Sequence, residues 1–184
     1  DSESVLEVYG ERDGKKSSTL STRFYKIDPN LSIVLETEYA NQYSAGGNDA
    51  LIDGITGAKD FRTGAWQGYH NTDVVATVSV GSLKNIEEVK VNFLQDQRSW
   101  IFYPTRVECY ISEDGVRFTK IGEMSMEAHI PSEKSEVKTV RFLPKNKAQF
   151  VKIVAKNFGD LPEWHLGYPY QGKAWIFVDE IEIK

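Results

Sequence analysis

Alternation of apolar and polar side chains is the feature that most constrains how this chain folds. Val89, Val91 and Phe93 alternate with polar residues, and the same pattern recurs at 107–111 and 151–155. Because successive side chains of a strand point to opposite faces, each stretch indicates an antiparallel strand with one buried face. Helical periodicity is nearly absent. We therefore predict an all-β protein.

Turn residues separate the predicted strands. Asp114-Gly115 and Asp13-Gly14 are hairpin signals, because Asp and Gly tolerate the positive φ of a tight turn. The only helical turn that we expect lies at 49–53. The last strand, Trp175–Ile183, starts apolar on both faces and is therefore predicted to be central in its sheet. About eight strands between Leu31 and the C-terminus predict a two-sheet sandwich.

The N-terminal residues predict a separate β-hairpin. Val5–Tyr9 and Thr19–Ile27 are strand-like, but an isolated hairpin is marginally stable in water. We place a boundary near Pro29, which divides the chain into 1–28 and 29–184. Residues 1–28 are interpreted as the C-terminal strands of a preceding small β module or as a linker hairpin. Since the sequence begins at Asp1, we expect a processed form or an excised piece.

Charge and cysteine content exclude several classes of protein. The chain of 184 residues has 27 acidic and 22 basic side chains, a net charge of −5 that argues against nucleic-acid binding. Its single cysteine, Cys109, excludes an intramolecular disulfide and a multi-cysteine zinc site. No apolar run reaches the roughly 18 residues that a membrane helix needs. Nine Phe, nine Tyr and four Trp supply enough apolar surface for a core.

The sequence gives little support for catalysis. Cys109 lies mid-strand beside aliphatic residues, which indicates a small buried hydrophobe. No nucleophile-elbow, zinc-protease or phosphate-loop motif is present, and the histidines are scattered. His129 is expected to be solvated. A small glycosidase would need two carboxylates opposed across one cleft, and that alternative stays open.

Three loops carry candidate binding residues. Residues 48–70 combine Asp49, Asp53, Asp60 and Thr63 with several glycines, which suits a hard cation such as Ca²⁺, although loop acids also cap turns.

The other two loops are rich in aromatic residues. Residues 157–174 contain Trp164, Tyr168 and Tyr170, and aromatic rings of this kind stack on the apolar faces of sugars. In the alternative interpretation, Trp164 closes the end of the sandwich. Residues 94–104 combine an arginine, amides and a tryptophan.

Several motifs together resemble one known family. They are Ala50-Leu-Ile-Asp-Gly, Trp66-Gln-Gly, the Ser112-Glu-Asp-Gly hairpin and Ala174-Trp-Ile-Phe-Val-Asp-Glu-Ile-Glu-Ile. In this order and spacing they resemble the discoidin (coagulation factor V/VIII type C) family, and in particular carbohydrate-binding module family 32. Leu161-Pro-Glu-Trp-His is similar to the C-terminal module of bacterial β-N-acetylhexosaminidases, the chitobiases.

The resemblance implies a galactose-binding-like jelly roll with a structural calcium ion. The implied ligands are Asp53 and Glu180 through carboxylates, Ala50 and Asp179 through carbonyls, and Thr63. The stretch between Asp53 and Thr63 is longer than the family pattern, so Asp60 is an alternative to Thr63. The ion would tie the C-terminal strand to the first loop.

The resemblance also implies a non-catalytic carbohydrate-binding module, and therefore not an enzyme. The residues that we expect at the ligand site are Gln67, His70, Arg98, Trp100, Asn157, Trp164 and His165. The expected parent is a glycoside hydrolase, with a catalytic domain in the same chain and galactose, N-acetylgalactosamine or N-acetylglucosamine in the target glycan. A structural or protein-docking domain without sugar affinity is the alternative. We expect a bacterial monomer in the periplasm, at the cell surface or secreted.

Overall fold

The computed structural model describes residues 3–25 and 27–184. It contains thirteen strands: β1 (Glu3–Val8), β2 (Glu11–Arg12), β3 (Lys15–Lys16), β4 (Leu20–Tyr25), β5 (Ser32–Leu35), β6 (Gln67–His70), β7 (Val74–Ile86), β8 (Val89–Gln95), β9 (Arg106–Ser112), β10 (Thr119–Ser125), β11 (Glu136–Phe142), β12 (Asn146–Lys156) and β13 (Trp175–Ile183). Its helices are short 3₁₀ turns at Asn41–Tyr43, Asn48–Ile52, Phe61–Thr63, Gln97–Ser99 and Tyr168–Tyr170. None of the helices in the described ranges is long and apolar enough to cross a membrane.

The N-terminal strands form the expected hairpin. β1 pairs antiparallel with β4, and β2 pairs with β3 across the turn at Asp13-Gly14, where φ is 52° and 73°. The side chains of Val5, Leu6 and Val8 are exposed. The hairpin is thus confirmed, while the division into 1–28 and 29–184 stays a prediction.

The rest of the chain is a sandwich of two antiparallel sheets, which confirms the predicted all-β fold. One sheet has five strands in the order β10-β9-β12-β7-β5, and the other has four in the order β11-β8-β13-β6. The sandwich therefore has nine strands, close to the eight expected. The position of β13 between β8 and β6 confirms that this strand is central.

Side chains from both sheets form one core layer between them. Val78 of β7 and Ile153 of β12 meet Val91 of β8 and Val178 of β13 in this layer. Burial of each such side chain contributes about 1.5–3 kcal/mol. Cys109 also lies there, fully buried, and burial raises the pKa of its thiol to about 12. Its interpretation as a small hydrophobe is thus confirmed.

A second apolar cluster covers the outer face of the four-stranded sheet. Trp66, Leu94, Ile101 and Phe177 are its buried members, and the connection between β5 and β6 lies over them. Trp66 Nε1 donates a hydrogen bond to the carbonyl oxygen of Ala58, at 2.8 Å. The first long loop, which contains the predicted calcium residues, is therefore packed onto the sheet.

A β-bulge in β13 changes which side chains face the core. Val178 pairs with Phe93 of β8, and Ile181 pairs with Val91, two residues further along. Two residues of β13, Asp179 and Glu180, therefore lie opposite the single residue Asn92 of β8. Strict alternation would aim Glu180 into the apolar layer between the sheets. The bulge gives that position to Ile181 and turns both acids towards the loop after the Asn48–Ile52 helix.

Candidate functional site

The long connection between β12 and β13 is anchored by its first residue. Asn157 Nδ2 donates hydrogen bonds to the carbonyl oxygens of Thr72 (3.0 Å) and Ala174 (3.3 Å), and Oδ1 accepts one from the Gly159 N–H (2.8 Å). Both the NH₂ group and the oxygen of the side-chain amide are therefore hydrogen-bonded to the backbone. Asn157 therefore positions the loop, and its contact with a sugar stays a prediction.

His165 is buried in the middle of the same loop and joins it to its neighbours. The Gly167 N–H donates to His165 Nδ1 at 3.0 Å, so this nitrogen accepts and Nε2 carries the proton. Nε2 lies 2.7 Å from the carbonyl oxygen of Gln97. The Gln97 side chain in turn donates to the Ile130 carbonyl and accepts from the Ser132 N–H. His165 therefore joins its loop to Gln97, which in turn reaches the loop at 130–132, and its contact with a sugar stays a prediction.

Trp100 supports the loop from beneath. It follows the helix Gln97–Ser99 in a left-handed conformation, with φ of 65°, and packs beside Phe102 and Leu161. A Cβ atom placed on Gly167 or Gly172 would come within 2.9 or 3.0 Å of its ring. The loop backbone therefore packs against one part of the half-buried Trp100 ring, and contact of this ring with a sugar stays a prediction.

Four apolar side chains of the loop remain exposed. They are Trp164 (43% exposed), Leu166 (89%), Tyr168 (45%) and Tyr170 (79%), and we call them the loop patch. The Trp164 ring also packs near Phe102 and edge-on to His165, with centroids 6.2 and 5.8 Å away. The ring thus packs at the end of the sandwich, as one interpretation predicted, and also keeps an exposed surface, while its stacking on a sugar stays a prediction.

The two candidates on β6 are placed very differently. Gln67 is fully buried, and its Nε2 donates to the Gly47 carbonyl oxygen at 2.9 Å while its Oε1 accepts from the Tyr69 hydroxyl at 2.6 Å. The described structure thus gives Gln67 buried partners within the protein, and its contact with a ligand stays a prediction. His70 is exposed and stacks on Trp175, with ring centroids 4.5 Å apart.

A groove of about 590 Å³ forms a second candidate surface. It lies where the helix Phe61–Thr63 meets the helix Gln97–Ser99. The residues that line it are Lys59, Asp60, Phe61, Arg62, Asp96, Arg98, Ser99 and Ser135. Arg98 is the one predicted sugar-binding residue in this groove, and Asp60 is a predicted calcium ligand.

In the groove, Arg62 is held firmly by Asp60. Asp60 caps the helix by accepting from the Arg62 N–H, and its oxygens also accept from Arg62 Nε at 2.7 Å and from a terminal guanidinium nitrogen at 3.1 Å. These bonds hold the pKa of the Asp60 carboxyl below its usual range. A glycosidase acid needs a raised pKa, so Asp60 does not fit that role.

Asp96 and Arg98 face each other more loosely. Arg98 Nε lies 3.8 Å from Asp96 Oδ1, beyond hydrogen-bonding distance. Asp96 Oδ1 is buried and has no hydrogen-bond partner among the described residues. The tight turn that presents these residues is closed by two backbone bonds between Asp96 and Ile101.

A cluster of three acids lies where β13 meets the first loop. Asp179 Oδ2 accepts from the Gly57 N–H at 2.6 Å, and Glu180 Oε2 accepts from the Gly54 N–H at 3.0 Å. Burial raises the pKa of Asp179 to about 7 and that of Glu180 to about 8, and the nearby Asp53 carboxylate adds to the shift of Glu180. Asp179 Oδ1 is buried with no hydrogen-bond partner in the described part of the chain.

The predicted calcium residues fall into two places. Ala50, Asp53, Asp179 and Glu180 belong to the acid cluster and the helix beside it. Thr63 and Asp60 form a separate turn, in which the Thr63 hydroxyl donates to the Asp60 carbonyl and the Asp60 carboxylate is bound by Arg62. Within residues 3–25 and 27–184, no three His, Cys, Asp or Glu side chains are arranged to hold a metal ion. A cation at the cluster would therefore need backbone carbonyls as well.

The sequence identifies the class of this sandwich. The family model of the F5/8 type C domain matches residues 34–176, which is most of the chain. The chain therefore belongs to the F5/8 type C, or discoidin, family, and the resemblance inferred from its motifs is confirmed. Modules of this family are binding domains without a catalytic centre. No curated protein matches the chain significantly.

Solved structures share the fold. A CBM32 module from Clostridium perfringens, in complex with GalNAc-β-1,3-galactose, is 20% identical with a TM-score of 0.51, over 84% of this chain and 94% of that one. The C-terminal domain of a chitobiase from Bacteroides fragilis is 14% identical with a TM-score of 0.50, over 86% and 95%. CBM32-1 from a family 31 glycoside hydrolase of Clostridium perfringens is 16% identical with a TM-score of 0.50, over 85% and 95%.

Several surface residues were missed by the sequence reasoning. Lys59, Arg62 and Ser135 come together in the groove only through folding, although the Asp60-Phe-Arg62 spacing was a usable signal for a capped arginine. Tyr168 and Tyr170 were noticed in the sequence but not placed among the ligand residues. Both lie exposed in the proline-containing helix Tyr168–Tyr170, which makes them stronger candidates than the buried His165.

Proposed function

We propose that this chain is a non-catalytic carbohydrate-binding module whose sugar-stacking surface is the loop patch. The observation that carries the proposal is the exposure of Trp164, Tyr168 and Tyr170 on one loop of a discoidin-family sandwich. Exposed aromatic rings leave apolar surface in contact with water. Stacking them on the apolar face of a sugar removes that surface from water and favours binding.

The loop is suited to this task because it is anchored. Asn157 fixes its start, His165 fixes its middle, and Trp100 fills the space beneath it. A surface that is ordered before binding loses less conformational entropy when the ligand arrives. Single-site sugar binding of this kind falls at millimolar to micromolar dissociation constants, roughly −4 to −8 kcal/mol.

The biological setting belongs to the same proposal. A bacterial glycoside hydrolase of the chitobiase type, exported to the periplasm, cell surface or medium, would carry this module in the same chain. Residues 1–28 would then close a preceding β module. The target glycans would contain galactose or an N-acetylhexosamine, as in the glycan bound by the CBM32 module from Clostridium perfringens. Tethering raises the effective concentration of a weakly bound glycan near the catalytic domain.

A structural Ca²⁺ at the acid cluster completes the proposal. The cluster fits a hard cation because Asp179 Oδ1 is buried without a partner, and no Lys, Arg or His of the described chain lies within 4.0 Å of Asp53 or Glu180. Asp53 and Glu180 would supply carboxylates, with carbonyl oxygens from Ala50 and Asp179. The ion would neutralise these buried charges and tie β13 to the first loop.

A protein-docking domain is the second candidate. It is favoured by Leu166, which is 89% exposed, since an aliphatic side chain of this kind contributes to protein contacts more than to sugar stacking. A glycan array probed with the full chain separates the two candidates. Binding to galactose- or N-acetylhexosamine-terminated glycans supports the module. A folded chain that binds no glycan on the array favours protein docking.

A further inference from the structure

We propose that His165 makes the loop patch sensitive to pH: acidification protonates this buried histidine, releases the chain segment that carries the patch, and weakens sugar binding. The inference rests on the proposed carbohydrate binding and adds a regulation of the same site. It starts from the two ring nitrogens of His165, both of which are hydrogen-bonded within the protein.

The hydrogen bonds of His165 require its neutral form. The Gly167 N–H can only donate, so Nδ1 of His165 accepts at 3.0 Å and carries no proton. Nε2 carries the single proton and lies 2.7 Å from the carbonyl oxygen of Gln97. A second proton would place an N–H group at Nδ1, opposite the N–H of Gly167. Protonation therefore breaks the bond between His165 and Gly167.

That bond holds the segment on which the loop patch lies. Gly167 is the N-cap residue of the helix Tyr168–Tyr170, which carries two exposed tyrosines. The Tyr168 N–H also donates to the carbonyl oxygen of His165, at 2.9 Å. The other two patch residues, Trp164 and Leu166, precede and follow His165 directly in the chain. Loss of the bond to Gly167 therefore loosens the backbone that positions all four side chains.

The surroundings of the His165 ring do not stabilise a positive charge. The rings of Phe102 and Trp164 lie edge-on to it, with centroids 5.6 and 5.8 Å away. No carboxylate oxygen in the described part of the chain comes within 4.0 Å of either nitrogen of His165. A buried charge without a partner is costly, so a protonated ring is more stable in water than in this place.

The ionisable groups on the neighbouring elements do not change this conclusion. They are exposed or face one another, as in the ion pair of Asp160 with Lys173 and the approach of Arg98 to Asp96. The full set is Asp160, Glu163, Tyr168, Tyr170 and Lys173 on the loop, Asp96 and Arg98 beside Gln97, and His129 and Glu133 beside the segment 130–132.

Proton uptake therefore favours the released loop. We call the loop with both His165 bonds formed the ordered form, and the loop with His165 open to water the released form. A histidine in water is protonated below about pH 6.5. Because the released form then binds one more proton, the ratio of ordered to released loop falls by up to about tenfold per pH unit below that value. Sugar affinity falls with the fraction of ordered loop.

Hydrogen exchange of the full chain without sugar tests the release, at several values between about pH 7.5 and about pH 5. Protection of the Gly167 amide, corrected for the intrinsic pH dependence of exchange, should fall by up to about tenfold per pH unit on acidification. Nitrogen NMR of the imidazole should show the proton on Nε2 at neutral pH, and protonation of His165 should coincide with the loss of Gly167 protection.

Histidine variants assign the effect to one residue. His165→Asn keeps an oxygen acceptor near the position of Nδ1 and takes up no proton, so the protection of Gly167 should be nearly constant over the same pH range. The variants His70→Asn and His129→Asn remove the other two histidines and should keep the pH dependence of the parent. Burial also raises the pKa of Asp179 and Glu180, to about 7 and about 8. All three variants retain these acids, so the comparison isolates His165.

Calorimetric titration with galactose, N-acetylgalactosamine and N-acetylglucosamine at about pH 7.5 and about pH 5 tests the effect on binding. The sugar that the parent binds at the higher pH should bind about threefold or more weakly at the lower pH. Its affinity for His165→Asn should be the same at both pH values, even if it is lower than that of the parent.

Four results would overturn the inference. They are a Gly167 amide in the parent whose protection does not respond to pH, a proton on Nδ1 at neutral pH, a pH dependence that survives in His165→Asn, and a sugar affinity of the parent that is equal at both pH values. Failure to bind any of the three sugars, with a Gly167 amide that still responds to pH, would instead contradict the proposed carbohydrate binding while retaining the pH-sensitive loop.

Discussion

The Nε2 nitrogen of His165 lies 2.7 Å from the carbonyl oxygen of Gln97, and this bond joins the long β12–β13 loop to the turn after β8. The loop patch and the groove that contains Arg98 are therefore connected through one buried side chain. His165, which the sequence analysis placed at the ligand site, forms this connection.

Replacing His165 is expected to loosen the loop. His165→Ala removes two hydrogen bonds and leaves the Gly167 N–H without its acceptor, so the free energy of unfolding should fall by about 1–3 kcal/mol. Urea denaturation measures the loss. Hydrogen exchange should show faster exchange of the amides at 157–174. The control is His129→Ala, an exposed histidine whose removal should change neither quantity. Equal behaviour of the two variants would contradict the role of His165.

Glu108 is expected to make the free energy of unfolding depend on pH. Its carboxylate accepts hydrogen bonds from Lys120 Nζ and the Tyr110 hydroxyl, both at 2.9 Å, and Arg106 Nε lies 3.1 Å away. The bond from Lys120 is the main reason why the pKa of Glu108 is below its usual value. Because the folded pKa is lowered, the contribution is present above the unfolded pKa and is lost as pH falls through the folded pKa.

Glu108→Gln tests this dependence in urea titrations between neutral and acidic pH. The variant should be less stable by about 1–2 kcal/mol at neutral pH, and the difference should shrink as the solution is acidified. Glu133→Gln is the control, because this exposed carboxylate makes no ion pair with any described residue and should contribute little at any pH. A difference for Glu108→Gln that stays constant across the pH range would rule out the ion-paired carboxylate as its source.

Calcium is expected to stabilise the protein through Glu180. Adding CaCl₂ after treatment with EDTA should raise the melting temperature of the parent chain, because the ion neutralises buried acids. Glu180→Gln should abolish most of the calcium response, because an amide in this position supplies no anionic oxygen to the ion. Glu182→Gln, two residues along the strand and more exposed, should respond to calcium like the parent. A parent chain that EDTA and CaCl₂ leave unchanged would exclude the ion.

The sandwich could be predicted because alternation is a local property. Each strand carries its own apolar face, and the Asp114-Gly115 turn sets how β9 and β10 pair, so the predicted hairpin appears in the structure. The bulge at Asp179 and Glu180 could not be predicted in this way. Its position depends on the register of β13 against β8, which is set by contacts between distant parts of the chain.

The site was predicted less well, for two physical reasons. Gln67 and Asn157 are polar and lie near loops, as a sugar-binding side chain would. Side chains that hydrogen-bond buried backbone groups have the same two properties. Burial decides between the two roles, and burial is not visible in the sequence. The groove joins residues near 60, 98 and 135, whose proximity arises only when the first loop packs onto the four-stranded sheet.

Calorimetric titration of the full chain with galactose, N-acetylgalactosamine and N-acetylglucosamine tests carbohydrate binding through the loop patch most directly. At least one sugar should bind, and Trp164→Ala and Tyr170→Ala should each weaken it by about 0.5–1.5 kcal/mol. Tyr9→Ala, an exposed tyrosine in the N-terminal hairpin, should leave the affinity unchanged. A folded chain that binds none of these sugars, or loop-patch variants that bind as tightly as the parent, would contradict the account.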